Sequence, residues 1–215
     1  MSSSLRPLPL IISSPSGAGK TTLTGRLLSQ VPGLAFSVSH TTRAPRSSEQ
    51  DGREYHFVDR ASFAQLIEQD EFLEWAEVHG NLYGTSKREL TKNQHLRGII
   101  FDIDHQGARQ IKCAEPDAVA IFILPPSMSI LEQRLRGRAS EDEETVQRRF
   151  KVATREIEHY GLFDYVLVND NIDEATTQLI SIFRAEECRR RRAARLAEQL
   201  LAESRQRSST KLGND

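Results

Sequence analysis

The segment LPLIISSPSGAGKTTLTGRLL, residues 8–28, decides how this chain folds. A short apolar run ends in small, turn-forming residues, and Lys20 then opens a helical pattern. A loop that is poor in side chains can turn its backbone N–H groups toward an anion, and the N-terminus of the next helix adds partial positive charge. We therefore predict a strand at Leu8–Ser13, a phosphate-binding loop, and a helix over residues 20–29.

The loop follows the pattern G-x-x-x-x-G-K-[ST], in which the lysine reaches the terminal phosphates and the next hydroxyl ligates Mg²⁺. Lys20 and Thr21 take these two positions, and Ser14 stands where the pattern has its first glycine. The alternative is a glycine-rich turn with an exposed lysine. The strand before the loop and the helix after it favour nucleotide phosphate binding.

Composition indicates one soluble globular domain, because 38% of the 215 residues are hydrophobic and 27% are charged. The net charge of −1 gives no indication of a nucleic-acid partner. Two cysteines, Cys113 and Cys188, are too few for a disulfide framework or a metal site, so we expect a reducing, cytoplasmic environment. The N-terminal apolar run is too short for a signal peptide or a membrane span, and no membrane partner is expected.

Near-continuous apolar runs alternate with helical patterns, which predicts an α/β protein with a parallel central sheet. Beyond the first strand, we place strands at residues 99–104, 118–124 and 164–169. Further helices are predicted at 105–113, 129–136 and 144–159, with a final one from about 173 past 200.

Ligands of such sheets collect at the carboxyl ends of the strands, so the loop, Asp102 and Asn169 should share one edge. An aspartate ending the strand can position Mg²⁺ directly or through water. Asp102 and Asp104 are both candidates at this stage. Asp104 precedes His105 and is as readily explained as the cap of the next helix.

Residues 37–90 interrupt the alternation with short polar strands, a turn-rich segment and a short helix at 62–69, which predicts a small mixed insertion on the ligand edge. Arg43 and Arg46, with Tyr55 and Tyr83, can form a second anion site, although either arginine alone is more often a surface residue. A kinase that acts on a phosphate monoester needs such cations rather than a base, because that oxygen is already ionised near neutrality.

A second charged stretch, RLRGRASEDEETVQRR, covers residues 134–149. Ser140 followed by Glu143 fits a helix capping box, and on charge pattern alone a solvated surface loop is the favoured interpretation. The alternative is that its arginines approach a phosphate site.

Taken in order, SPSGAGKTT, SVSHTTRAPR, DGREYHF, FLEWAEVHGNLYGTS, FDIDHQG, IFILPPS, RLRGR and VNDN resemble guanylate kinases, most closely the bacterial ones, over residues 8–190. The resemblance implies that the γ-phosphoryl group of MgATP is transferred to GMP, giving ADP and GDP in purine nucleotide metabolism. It implies a phosphate-loop core with helices on both faces (residues 5–36, 92–126 and 156–207), a mixed α+β GMP-binding insertion (37–91) and a helical lid (127–155), all in one domain.

Carried over by position, the resemblance also implies the site residues. Catalytic roles fall on Lys20, Arg43, Arg134, Arg138 and Arg149. ATP would be bound by Asn169 and by the loop residues Ser14, Pro15, Ser16, Gly17, Ala18, Gly19, Lys20, Thr21 and Thr22. GMP would be bound by Ser39, Arg43, Arg46, Tyr55, Glu74, Tyr83, Thr85 and Asp102. Mg²⁺ would be held by Thr21 and by Asp102, the latter directly or through water.

Other interpretations remain at this stage. Guanylate-kinase-like scaffold domains bind phosphopeptides without catalysis, but they generally lose the loop lysine or the lid arginines, which this chain keeps. A kinase for a sugar phosphate would not need Glu74 to read a base, and without the resemblance Glu74 is better explained as a salt-bridging hairpin residue. The arginine-rich C-terminal helix has an apolar face, which favours a solvated or subunit-packing helix over a nucleic-acid site.

Overall fold

In the computed structural model, residues 6–78, 80–137 and 142–212 are described, and they form two sheets with helices around them. The strands are β1 Leu8–Ser13, β2 Leu34–Phe36, β3 Ser39–Thr41, β4 Tyr55–Phe57, β5 Phe72–Val78, β6 Asn81–Ser86, β7 Gly98–Asp102, β8 Val119–Leu124 and β9 Tyr165–Val168. The helices are α1 Lys20–Gln30, α2 Arg60–Glu68, α3 Arg88–Lys92, α4 His105–Ala114, α5 Met128–Arg136, α6 Glu143–Ile157, α7 Ile172–Glu187 and α8 Arg190–Leu212.

The larger sheet has five strands in the order β2-β7-β1-β8-β9, and every pairing in it is parallel. The α/β fold class predicted from the sequence is therefore confirmed. The bounds of β1 are those predicted, and β7, β8 and β9 differ from the prediction by one or two residues at an end. The three-residue strand β2 was not predicted.

Side chains alternate between the two faces of this sheet, and each face has its own apolar core. On one face, Leu10 and Ile12 of β1 pack with Leu23 of α1 and Phe183 of α7. On the opposite face, Ile11 packs with residues of α4. A strand buried on both sides has no polar face, which explains the continuous apolar run.

The mixed insertion predicted for residues 37–90 forms the smaller sheet, in the order β4-β3-β6-β5. Its pairings are antiparallel except for β3 with β4. Asp59 caps α2 by accepting a hydrogen bond from the backbone N–H of Ser62. Leu73 of β5 joins the core on the α4 face, so the insertion is packed against the main sheet.

Helices α5 and α6 form a hairpin with a small core of its own, made by Leu131, Leu135, Val146 and Ala153. The predicted capping box at Ser140 was wrong, because α6 begins at Glu143 and Asp142 is its N-cap, accepting from the backbone N–H of Thr145. Ser140 itself lies outside the described residues.

The single C-terminal helix was also predicted wrongly. The chain forms α7 and α8, which are separated by Cys188 and Arg189. None of the helices within the described ranges combines the length and the low polarity that crossing a membrane requires.

Gly98→Ala is expected to destabilise the fold by about 1–3 kcal/mol through overpacking. A Cβ at this position would lie 2.8 Å from Leu34 Cδ2, 2.9 Å from Phe183 Cε2 and 3.1 Å from the Leu8 carbonyl oxygen. Urea unfolding measures the change.

Gly25→Ala is the matched control, because Gly25 lies in α1 and the methyl group that alanine would add there has no described atom within 4 Å, apart from its chain neighbours and the nearby backbone of its own helix. Alanine at this position should stabilise the helix by about 0.5–1 kcal/mol. A Gly98→Ala protein as stable as the wild type would contradict the close packing of β7 between β2 and α7.

Candidate functional site

The loop between β1 and α1 makes a tight turn in which Gly17 has a φ of +93°. The Ala18 N–H donates to the Pro15 carbonyl at 3.1 Å, so Gly17 is the third residue of a turn that requires a positive φ. A Cβ on Gly17 would also approach Leu131 Cδ1 to 3.1 Å and Leu135 Cδ2 to 3.2 Å. Glycine therefore lets α5 pack directly on the loop.

Gly19 ends the loop with a φ of +95° and caps the N-terminus of α1. The side chain of Asn169, which follows β9, donates from Nδ2 to the Ala18 carbonyl at 2.7 Å. A Cβ on Gly19 would lie 2.2 Å from that same Nδ2. The amide of Asn169 therefore supports the loop, and its contact with the base of ATP remains a prediction.

Ser14 replaces the first glycine of the loop pattern without a backbone penalty. Asp70 is the only non-glycine position with a positive φ in the described parts of the chain, so Ser14 has an ordinary conformation. Its hydroxyl donates to the Pro15 carbonyl at 3.1 Å. The position does not need glycine here.

Lys20 forms an ion pair with Asp102 at the end of β7, which places the loop and this strand end at one edge of the sheet, as predicted. Asp104 instead caps α4, accepting from the backbone N–H groups of Gln106 and Gly107 at 3.0 Å. The sequence left open which of the two aspartates lies near the loop. The structure places Asp102 beside Lys20 of the loop, whereas Asp104 is the N-cap of α4.

Thr21 and Thr22 are exposed in the first turn of α1. A hydroxyl and a nearby carboxylate fit Mg²⁺, which prefers oxygen ligands and takes one or two from protein, with substrate phosphates and water supplying the rest. Thr21 and Asp102 are the residues that would hold it. No cluster of three or more His, Cys, Asp or Glu suited to a metal occurs among the described residues.

The insertion brings together Arg43, Tyr55 and Tyr83, three of the four residues of the predicted second anion site (the clamp), whereas the hydrogen bond of Arg46 to Glu49 is made by its backbone. The guanidinium carbon of Arg43 lies 5.5 Å from the Tyr55 ring centroid, and the rings of Tyr55 and Tyr83 are 6.0 Å apart. Burial, and then the neighbouring Tyr83 and Asp102, raise the pKa of Tyr55. The Tyr55 side chain therefore lies within electrostatic range of Asp102.

Glu49 accepts hydrogen bonds from both Arg43 and Arg46. Arg43 Nη2 donates to both carboxylate oxygens of Glu49, at 2.8 and 3.0 Å, and the Arg46 backbone N–H donates to Oε2 at 2.8 Å. The hydrogen bond to Glu49 raises the pKa of Arg43. A carboxylate thus engages the guanidinium that we predict to bind a phosphate.

Glu74 lies in a buried polar chain on β5. Thr85 on β6 donates from Oγ1 to Glu74 Oε1 at 2.6 Å, and the Ser39 hydroxyl lies 2.8 Å from Thr85 Oγ1. Only 4% of Glu74 is exposed, and no ion pair to it occurs in the described ranges, so the salt-bridged hairpin alternative does not hold. Burial raises the pKa of Glu74 to about 7, and the charge of Asp104 adds to that rise.

The α5–α6 hairpin contacts the loop through one of the predicted arginines and the residue after β9 through another. Arg149 donates from Nη2 to the Ser16 hydroxyl at 2.8 Å. Arg134 donates from Nη2 to the Asn169 carbonyl at 3.1 Å, and its buried Nη1 has no acceptor among the described residues. Arg138 falls outside the described residues, so its role stays a prediction.

Three residues of this region were not found from the sequence. Glu49 and Glu156 are carboxylates that bond to the clamp and to the loop. Gly107 lies under Glu74, since a Cβ there would come within 2.7 Å of Glu74 Oε2. The glycine inside the predicted helix was a signal for a close approach, whereas the two glutamates have no local signature.

A parallel α/β sheet and a glycine loop that ends in a lysine, between the first strand and the first helix, are the features of a phosphate-loop enzyme. A guanylate kinase family model matches residues 6–186. The chain therefore belongs to the guanylate kinase family and is an enzyme of that family.

Individual relatives agree with this. The chain is 52% identical to a guanylate kinase of Aromatoleum aromaticum, covering 84% of this chain and 89% of the relative. It is 50% identical to a guanylate kinase of Myxococcus xanthus, covering 86% and 90%. The crystal structure of guanylate kinase from Anaplasma phagocytophilum has a TM-score of 0.68 and 34% identity, covering 87% of this chain and 90% of that one.

Glu74→Gln is expected to stabilise the ligand-free protein more at pH 8 than at pH 5. Folding raises the Glu74 pKa from 4.5 to about 7. Between these values the folded protein holds a proton that the unfolded chain has released, so the free energy of unfolding of the wild type falls as the pH rises. Glutamine does not titrate and avoids that loss.

Thermal unfolding of both proteins at the two pH values measures this difference. Glu77→Gln, exposed on the same strand, is the control and should shift the melting temperature equally at both pH values. An equal shift for Glu74→Gln would contradict the raised pKa.

Proposed function

We propose that this enzyme transfers the γ-phosphoryl group of MgATP to GMP, giving ADP and GDP. The observation that carries the proposal is that Asp102, the ion-pair partner of Lys20, also acts on Tyr55 of the Arg43–Tyr55–Tyr83 clamp, so that the two predicted anion sites would be neighbours. Two phosphates that must meet repel each other, so cations on both sides of the junction are what the reaction needs.

The clamp suits the GMP phosphate. Arg43 and Arg46 offer guanidinium donors with the planar geometry that matches phosphate oxygens, and Tyr55 and Tyr83 add hydroxyl donors. The acceptor oxygen of a phosphate monoester is mostly ionised near neutrality, so no general base is required to activate it. It attacks the γ-phosphorus as the bond from that phosphorus to the leaving ADP oxygen breaks.

Glu74 suits the base of GMP. Guanine presents N1–H and an exocyclic amine as adjacent donors, and an ionised carboxylate can accept from both. The Thr85 hydroxyl already donates to Oε1 at 2.6 Å, which orients the carboxylate, and the Ser39 hydroxyl continues the chain. Asp102, at the end of β7, would contact the nucleoside as well as the metal.

On the ATP side, the backbone of residues 14–19 would cradle the phosphates, Lys20 would bind the transferring group, and Thr21 would ligate Mg²⁺. Mg²⁺ held by Thr21 and Asp102 would supply positive charge that stabilises the phosphates during transfer. Arg134, Arg138 and Arg149 would stabilise the charge that develops in transfer. The buried Nη1 of Arg134 has no acceptor among the described residues, which supports a ligand acceptor near Asn169, where the ATP base is predicted.

We further propose that residues 37–91 and 127–155 are a GMP-binding insertion and a lid that close over a core of residues 5–36, 92–126 and 156–207. Closure would exclude water, which otherwise competes as the phosphoryl acceptor. A cytoplasmic role in GMP recycling fits two free cysteines, Cys113 and Cys188, and a homo-oligomer remains compatible with the exposed leucines of α8.

An assay of ADP release with GMP, AMP and ribose 5-phosphate as acceptors tests the function. We expect turnover with GMP, and a kcat/KM for AMP lower by about 10⁴-fold, because a site built on hydrogen bonds rejects an analogue that leaves them unpaired. Turnover with ribose 5-phosphate in place of GMP would favour a sugar-phosphate kinase, and no turnover with any acceptor would favour a binding domain.

Lys20→Ala should lower kcat by at least about 10²-fold, because the loop loses its one full positive charge at the transferring phosphate. Single-turnover kinetics with MgATP and GMP measures the loss. Lys151→Ala, an exposed lysine on α6, is the control and should retain wild-type kcat. Near-normal transfer by a folded Lys20→Ala protein would refute the role of the loop.

Glu74→Gln should reduce the preference for GMP over AMP at least about tenfold, because a glutamine amide accepts only through its oxygen. The ratio of kcat/KM for the two acceptors is compared in wild type and variant. A ratio unchanged by the substitution would show that another residue reads the base.

A further inference from the structure

We propose that Glu156, which no sequence signal singles out, is a positioning residue for the lid arginine Arg149. It would act through Ser16 of the phosphate loop. The inference rests on the proposed function, because it concerns the arginine that we expect to act during transfer.

Arg149 and Glu156 both contact Ser16. The Ser16 backbone N–H donates to Glu156 Oε2 at 3.2 Å, and the Ser16 hydroxyl accepts from Arg149 Nη2 at 2.8 Å. The two residues are seven positions apart on α6, which is about two helical turns, so they lie on one face of the helix. One loop residue thus joins two points along the lid helix.

The position of Ser16 makes this contact effective. Ser16 is the second residue of the turn closed by the Ala18 N–H and the Pro15 carbonyl, directly before Gly17 with its positive φ. In the ligand-free protein its N–H donates to the carboxylate of Glu156. Glu156 therefore fixes the loop backbone that presents the Ser16 hydroxyl to Arg149.

The end of α6 that carries Glu156 is itself anchored to the core. Just beyond it, the His159 ring stacks on the ring of His105, the first residue of α4, with 3.7 Å between centroids. Glu156 also lines a cavity of about 70 Å³ together with Lys20. Arg149 lies about two helical turns from Glu156, so its position relative to Ser16 is set from the anchored end.

The expected result follows from loss of this bond. Glu156→Ala should lower kcat by about 10- to 100-fold, as small displacements of a catalytic group do, while the KM for GMP stays within about twofold. Glu156→Gln keeps an acceptor oxygen for the Ser16 N–H and should stay within about threefold of wild type. Glu158→Ala, exposed on the same chain segment, is the control for removing an acid here.

A double-mutant cycle separates positioning from stability. If Glu156 acts through Arg149, adding Glu156→Ala to Arg149→Ala should lower kcat little further. Full additivity, a kcat for Glu156→Ala within threefold of wild type, or Glu156→Gln as impaired as Glu156→Ala would overturn the inference. The melting temperature of each variant shows that the compared proteins are folded.

Two results keep this inference distinct from the proposed function. A large loss of kcat in Arg149→Ala with none in Glu156→Ala overturns the inference and leaves the function intact, whereas a wild type without GMP kinase activity overturns the function. Amide hydrogen exchange at Ser16 tests the contact without any activity. It should accelerate in Glu156→Ala and not in Glu156→Gln, and equal exchange in all three proteins would overturn the inference.

Discussion

The contact between Asn169 and the phosphate loop is the constraint on which the site depends. The loop can receive the amide of Asn169 at the Ala18 carbonyl only because position 19 has no Cβ, which would lie 2.2 Å from the donor nitrogen. The same glycine has a positive φ and begins α1. One backbone feature therefore joins the end of β9 to the loop and sets the direction of α1. It also fixes where Lys20 leaves the backbone.

Carboxylates balance much of the positive charge that this arrangement collects at one edge. Asp102 pairs with Lys20, and Glu49 pairs with Arg43. Without these partners, cations held close together by a rigid scaffold would repel one another. The pairing also keeps flexible lysine and arginine side chains in place before a phosphate arrives, which lowers the ordering cost of binding. The acids therefore belong to the proposed phosphate sites, although acidic residues are not themselves expected to bind phosphate.

Much of this could be predicted from the sequence, where the determinants are local. The bounds of β1 follow from its apolar run, and Gly17 and Gly19 of the loop stand at positions with a positive φ, which glycine favours. Strand β2 was missed because it has only three residues and none of them is fully buried. The break between α7 and α8 has no proline or glycine to mark it. Glu49 and Glu156 could not be found, because their partners are determined by tertiary packing.

The Glu74 position shows why such a site is less stable than it could be. An apolar residue of similar size would make the fold more stable at this position, because Glu74 is only 4% exposed and burial disfavours its charged form. The same exclusion of water would allow Glu74 to discriminate between bases, as we propose. An exposed carboxylate could hydrogen-bond to water when the wrong base arrives, at little cost. Among the described residues Thr85 donates to the Glu74 carboxylate, and a base with matching donors would satisfy the rest, so the burial that destabilises the ligand-free protein would be the source of the proposed selectivity.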